Sequence, residues 1–218
     1  MTHSLTTIYK KHHGENRSRS FSLWKHERSS LIDFYLGDRK NILDLGCRDG
    51  ALVSAYKGDR SITGFDIDSS ALSYAEEHYG ITTQVVDLNG PWHESVGHTY
   101  EGVVMAETLE HLYFPKTVLE KIKTVLGSGG ILVGSVPNAF SLRHRLRYLV
   151  GQKKCTPLSD PTHINQFTYG ELKAVLESEF QHVRIIPLVR KPLQGIARIF
   201  PSLFAHSLFF VASDAPLS

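Results

Sequence analysis

Asn41-Ile42-Leu43-Asp44-Leu45-Gly46-Cys47-Arg48-Asp49-Gly50 sets apolar residues around one carboxylate, then two glycines, and an apolar helical pattern follows from Ala51 to Ala55. A short apolar run that turns through glycines and passes at once into a helix reads as a buried strand, a tight loop and a helix N-terminus. At such a junction the peptide N–H groups face out from the carboxyl edge of a parallel sheet, where a charged small molecule is held.

Outward from this stretch, strands and helices alternate. Strands are predicted over about 40–45, 61–66, 81–86, 102–106 and 131–136, with helices over 21–36, 51–57, 69–79, 107–112 and 115–126. Gly37 ends the first helix, and Gly127, Gly129 and Gly130 stop the last. This alternation predicts an α/β fold, a Rossmann-like doubly wound sheet with right-handed crossovers. After Pro137-Asn138 the alternation breaks into a basic insert (139–165), a helix (169–179), a strand (182–188), a second insert (189–205) and a last strand (206–212). Only that short insert separates the last two strands, so an antiparallel hairpin is expected at the sheet edge.

The composition excludes several classes. With 41% hydrophobic residues, 21% charged residues and a formal charge of +2, no global field points to nucleic acid or acidic partners. Cys47 and Cys155 stand too far apart in sequence to suggest a disulfide framework or a zinc knuckle, which fits a reducing cytoplasm. The polar, basic N-terminus has no apolar core of a signal peptide, and no run approaches the ~20 apolar residues that span a bilayer. Residues 1–20 read as a peripheral arm or, since Tyr9, His12 and His13 lie there, as a lid over a ligand.

The glycine pair alone is a weak signal; the carboxylates at successive strand ends are stronger. Asp44 lies in the first strand, and Asp66 ends the second, 22 residues later, where a ribose diol needs a bidentate acceptor. Asp87 follows the third strand, suited to an exocyclic amine, and Glu107 follows the fourth. The third glycine of a dinucleotide fingerprint is absent. A sulfonium amino acid has no phosphates and wants carboxylates, peptide amides and a partly apolar wall, which favours S-adenosylmethionine.

Ile42 to Gly50, Gly64-Phe65-Asp66-Ile67-Asp68, Val86-Asp87, Glu107-Thr108-Leu109-Glu110-His111-Leu112 and Gly129-Gly130-Ile131-Leu132 resemble, in order and spacing, the motifs of class I S-adenosylmethionine-dependent methyltransferases. The resemblance spans roughly residues 40–137. It implies a seven-stranded sheet with a reversed edge strand and a cofactor site at Asp44, Gly46, Cys47, Gly50, Asp66, Ile67, Asp87, Leu88 and Glu107. Within that set it places Gly46 on the methionine part, Asp66 on the ribose and Asp87 near the adenine. One departure is Arg48, which stands where the family usually has a second glycine; because arginine adopts positive φ poorly, an ordinary backbone conformation is expected there. The chain then divides into an N-terminal arm and helix (1–38), a cofactor-binding core (39–137) and acceptor-side inserts with a C-terminal hairpin (138–218), all one domain.

Glu107, Glu110 and His111 fall at i, i+3 and i+4, so a helical turn would set all three on one face beside the methyl group. Either His111 takes the proton from an acceptor hydroxyl, an effect of about 10²–10⁴-fold, or the three join a distant histidine on a divalent ion. A third reading is structural, with Glu107 facing the cofactor, Glu110 favouring the helix dipole and His111 bonded to His163 or to backbone. The distant histidine is His163 in Asp160-Pro161-Thr162-His163-Ile164-Asn165-Gln166-Phe167-Thr168. This segment resembles the H-x-x-x-F-T element of many small-molecule methyltransferases, glycan-modifying and ubiquinone-biosynthesis O-methyltransferases among them. The E-x-x-E-H pattern with a later His is also similar to the metal site of small-RNA 3′-end 2′-O-methyltransferases, which implies Mg²⁺ or Mn²⁺ on Glu107, Glu110, His111 and His163.

Two inserts remain to choose the acceptor. Over 139–155, Leu142, Leu146, Leu149 and Val150 fit one helical face while Arg143, Arg145, Arg147, Lys153 and Lys154 crowd the remainder. This is a solvated basic face or a site for an anion such as a sugar diphosphate, a lipid phosphate or an RNA end. Pro137-Asn138 followed by an Arg-rich helix also resembles the MetW family, which implies a regulatory role with a partner acyltransferase. The apolar residues of 187–204 read as packing over the sheet edge, with a hydrophobic substrate wall or a shallow membrane contact as alternatives. The leading expectation is O-methylation of a small-molecule, glycan or lipid-linked acceptor, ahead of RNA 2′-O-methylation and of a non-catalytic cofactor-binding role.

Overall fold

A computed structural model describes residues 24–217, and the proposed N-terminal lid at Tyr9, His12 and His13 lies outside them. Seven strands form one sheet: β1 (Asn41–Leu45), β2 (Ser61–Asp66), β3 (Thr82–Val85), β4 (Tyr100–Ala106), β5 (Leu126–Pro137), β6 (His182–Leu188) and β7 (Ser207–Ser213). Their order is β3-β2-β1-β4-β5-β7-β6. The first five run parallel, and β7 runs antiparallel to both β5 and β6. The expected hairpin is present, and its reversed strand slots in beside β5 at that end of the sheet.

Period-two alternation assigns side chains to the two faces. Leu43 and Leu45 of β1, Val103 and Met105 of β4 and Phe210 of β7 join one core. Ile42, Val104, Phe209 and Val211 join the other. The first core is covered by α4 (Pro115–Val125) and α6 (Tyr169–Glu177), the second by α1 (Lys25–Leu36), α2 (Val53–Tyr56) and α3 (Ser69–Tyr79). With both faces covered, the parallel strands read as near-continuous apolar runs, and a carboxylate such as Asp44 stands out against them.

Local chemistry sets the helix starts that matter for the site. Asp68, just beyond the tip of β2, caps α3 by accepting from the N–H groups of Ser70 and Ala71 at 3.0 and 3.3 Å. The Thr of the H-x-x-x-F-T element, Thr168, forms a capping box with Glu171 that starts α6. The insert after β5 contains α5 (Leu142–Leu149), and the insert after β6 contains α7 (Gln194–Ile199) and α8 (Pro201–Phe204). No helix of the described residues is long and apolar enough to cross a membrane.

Candidate active site

A cleft of about 630 Å³ opens along the carboxyl edge of the parallel strands. The tips of the first four strands line it: Asp44 and Gly46 after β1, Asp66 and Ile67 after β2, Asp87 and Leu88 after β3, Glu107 and Thr108 after β4. Cys47 lines it as well. Gly50 does not. It turns toward α3, where a Cβ would meet Tyr79 Cδ2 at 2.7 Å, so its part is to let the loop pack on that helix.

The loop after β1 explains why its residues are small. Gly46 has φ +83°, and a Cβ there would lie 2.3 Å from Thr108 Oγ1, so the tip of β4 closes directly on it. The N–H groups of Gly46 and Cys47 both donate to Phe65 O, at 2.7 and 3.3 Å. Arg48 departs from expectation: its φ is +49°, in the left-handed region. The cause is Asp66, whose Oδ2 accepts the Arg48 N–H at 2.9 Å while its Oδ1 accepts the Asp68 N–H at 2.9 Å. Those bonds hold a conformation that costs a non-glycine residue about 1–2 kcal/mol.

Burial governs the charges. Asp44 is 3% exposed, and desolvation raises its pKa from 3.8 to about 7, against the hydroxyl of Tyr56, which donates to its Oδ2. Asp66 is raised too, chiefly by burial, with the N–H groups of Asp68 and Arg48 opposing. Burial and the neighbouring carboxylates push the Cys47 thiol well up, which leaves it protonated and unreactive. Asp87 is exposed, and its Oδ1 accepts from the Asn89 N–H at 2.9 Å.

The second constellation forms differently from the sequence expectation. Glu107 has φ +55°, and the helical turn is a short 3-10 segment, Leu109–His111, that begins after it. The i, i+3, i+4 face therefore does not exist. The Glu107 carboxylate turns instead toward Arg28, Ser135 and Ser207, with Arg28 Nη2 at 2.8 Å from Oε1 and the two hydroxyls donating to the same oxygen at 3.1 and 3.2 Å. Glu110, His111 and His163 do converge, offering one ligand atom each within 4.8 Å of one another, and Glu107 stands outside this group.

Backbone bonds orient both imidazoles. His111 Nδ1 lies 2.8 Å from Thr162 O, and His163 Nδ1 lies 3.0 Å from Pro157 O. A carbonyl only accepts, so each Nδ1 carries a hydrogen, and in the neutral imidazole Nε2 is then the atom with the lone pair. Both Nε2 atoms lie 4.0 Å from Glu110 Oε1, and Glu110 is 1% exposed. The 160s segment is fixed to the β4 tip by the Asn165 N–H on Glu110 O at 2.8 Å and by the Asn165 side chain on Leu112 O. His111 and His163 line the cleft; Glu110 sits behind them.

Arg28 escaped the sequence reading. It is 2% exposed, lines the cleft, and its Nε has no hydrogen-bond partner among the described residues. The signal was a cation at an apolar position, because Arg28 shares the inward stripe of α1 with Ile32 and Leu36. Trp24, stacked on His206 at 5.6 Å, and Arg143, His144 and Arg190 complete the far wall. Burial lowers the pKa of His144 and of His206, and nearby arginines add to the effect.

A methyltransferase-domain family model matches residues 15–179, more than half of the chain. The chain belongs to that family, within the class I S-adenosylmethionine-dependent methyltransferases. Among relatives, the ubiquinone biosynthesis O-methyltransferase of Aeromonas salmonicida is 33% identical over 141 residues, covering 61% of this chain and 59% of the relative. That of Colwellia psychrerythraea is 29% identical over 128 residues, covering 56% and 52%. The chain thus spans between half and three fifths of the length of these relatives. A SAM-dependent methyltransferase from Archaeoglobus fulgidus superposes with TM-score 0.69 at 19% identity, covering 94% of this chain and 98% of that one. The plantazolicin methyltransferase BpumL in complex with SAH does so with TM-score 0.66 at 16% identity, covering 97% and 91%. At such identities the likeness is one of fold.

Proposed function

We propose that this protein is an S-adenosylmethionine-dependent O-methyltransferase whose acceptor hydroxyl, on a small-molecule, glycan or lipid-linked substrate, is presented to the Glu110–His111–His163 cluster. The observation that carries this reading is the pair of imidazoles turned by backbone carbonyls so that both Nε2 atoms face one buried carboxylate beside the strand tips. The names of the O-methyltransferase relatives support a hydroxyl acceptor.

The residues present fit the cofactor. Asp66 holds the ribose diol, Asp87 faces the adenine, and the loop at Gly46 lies against the methionine part. Arg28, a buried guanidinium whose Nε has no hydrogen-bond partner among the described residues, suits the cofactor's carboxylate. When bound, S-adenosylmethionine supplies an activated methyl group on a cationic sulfur. The chain's task is then to orient the acceptor and to remove its proton. His111 or His163 takes that proton at Nε2, and Glu110 stabilises the imidazolium that results.

The same donor set, two imidazole nitrogens and one carboxylate with both Nδ1–H groups held by carbonyls, also suits a divalent cation. Glu110, His111 and His163 would hold it, and Mg²⁺ or Mn²⁺ there would supply Lewis-acid polarisation of the hydroxyl. The RNA 3′-end reading drew on four such residues, and Glu107 stands apart from them. The test is methyl transfer to catechol-type and RNA acceptors side by side, before and after chelator treatment. Turnover on the small acceptor alone is expected; turnover on RNA alone, or S-adenosylmethionine binding with no product across acceptors, overturns the assignment.

A further inference from the structure

We infer that the basic, apolar surface built by α5 and the segment 193–200 docks on an anionic lipid bilayer, bringing the mouth of the cleft to the membrane. The helix α5 is inverted relative to an ordinary surface helix. None of its residues is buried, and its aliphatic side chains face solvent: Leu146 is 56% exposed, Leu149 82% and the adjoining Val150 68%. Leu142, Leu146, Leu149 and Val150 follow the i, i+4, i+7, i+8 rule, so they form one continuous stripe. The polar side chains are the ones that anchor the helix. His144 Nδ1 bonds Asn138 O at 3.0 Å, Tyr148 Oη donates to Ala139 O at 3.0 Å, and Arg145 Nε donates to Phe140 O at 2.7 Å.

Neighbouring elements repeat the pattern. The helix α8 packs against both α5 and α7, and beside it Leu193, Ile196, Ile199 and Phe200 are exposed. The second insert therefore does not simply pack over the sheet edge: Val189, Ala197 and Ala205 are buried, while Leu193, Ile196, Ile199 and Phe200 face out. Exposed apolar groups of this extent mark an interaction surface.

Charge decides the occupant. From Pro137 through Ser159 the sequence has five Lys or Arg residues and no carboxylate, and from Gln181 through Ser213 there is again no Asp or Glu. A second copy packed symmetrically on this face would set these cations against each other. An anionic headgroup layer complements them, and an apolar stripe flanked by arginine and lysine is the composition of an interfacial helix. Arg143, on α5, also lines the cleft, as does Arg190 just before the segment 193–200, so the docked face adjoins the cleft.

The inference goes beyond the acceptor assignment, because binding to vesicles requires no methyl transfer; either can fail without the other. The test is co-sedimentation of the full chain with phosphatidylcholine vesicles that contain or lack phosphatidylglycerol, at low and high salt. Binding is expected with phosphatidylglycerol vesicles and weakened by salt. The Leu146→Glu/Leu149→Glu variant should lose at least about tenfold in partitioning, and Lys153→Gln and Lys154→Gln about fivefold each. Calorimetric binding of S-adenosylhomocysteine should be unchanged in all of them, which shows that they fold. Binding to neither vesicle, equal binding to both, or no loss in the leucine variant would overturn the inference. So would a dimer in light scattering that the leucine variant dissociates.

Discussion

The two halves of the cleft are built by different rules. The half proposed for the cofactor is local: Asp44, Gly46, Arg48 and Asp66 come from two adjacent strands and their turns, and their contacts are mainly backbone N–H groups on carboxylate or carbonyl. The acceptor half is assembled across the chain. His111 is oriented by Thr162 O and His163 by Pro157 O, and Glu110 is tied to the same segment through the Asn165 N–H. A half made of backbone and short-range order tolerates side-chain change wherever only a peptide group is used. A half whose working groups are side chains brought together from distant segments fails when one of them goes. The comparison teaches that the two halves of this cleft are encoded at different ranges in the chain.

If this distinction holds, the largest effect belongs to the acceptor half. His111→Ala should lower kcat by about 10²–10⁴-fold while leaving S-adenosylhomocysteine affinity in calorimetry near that of the wild type. A parallel loss of cofactor binding would break the separation between the halves. Dialysis against a chelator sharpens the same point: activity lost and then restored by Mg²⁺ or Mn²⁺ makes the trio a metal site, and activity retained makes it a metal-free base.

Next in size is Asp66→Ala, in the cofactor half. It removes a cleft-lining carboxylate that bonds two backbone N–H groups and that we propose holds the ribose, and should weaken cofactor affinity by on the order of 10²-fold in calorimetry.

Asp44 gives a smaller effect with a definite sign. Its pKa is raised on folding, from 3.8 to about 7, so its contribution to stability is complete below the unfolded value and is lost as pH rises through about 7. Asp44→Asn should therefore reduce the fall in apoprotein stability between pH 4 and pH 8 by at most roughly 4 kcal/mol. The check is a comparison of denaturant midpoints at the two pH values; a larger fall in the variant would contradict the burial argument.

The smallest effect is expected at Arg48. Its N–H is the group that bonds Asp66, and glycine keeps that N–H, so Arg48→Gly should keep the cofactor affinity within a few fold and change stability by less than about 1 kcal/mol, relief of the left-handed backbone opposing the added entropy of the unfolded chain. A tenfold loss of cofactor affinity would show that the Arg48 guanidinium, which lines the cleft, takes part in binding.

Much of the fold was legible because it rests on short-range patterns. The apolar run Ile42 to Leu45, the acidic ends at Asp66 and Asp87 and the glycines that stop helices lie within a few residues of what they specify. The range of α3 and the ranges of β2 and β6 agree with the sequence reading. The readings at Glu107 and Arg48 went astray for one reason: a left-handed backbone angle was held by a partner distant in sequence, Ser135 O accepting the Glu107 N–H and Asp66 Oδ2 accepting the Arg48 N–H. Arg28 was passed over because its partner lies 79 positions away, on a turn whose direction the local sequence does not set.

By itself, then, the sequence determined the order of strands and helices, the family and the acidic strand tips that line the cleft, since periodicity and spacing act within one turn or one strand. The tertiary structure alone decided which carboxylate stands with the two histidines and which faces of the inserts look outward. Those outcomes depend on backbone carbonyls and packing partners that become neighbours only after the sheet has closed.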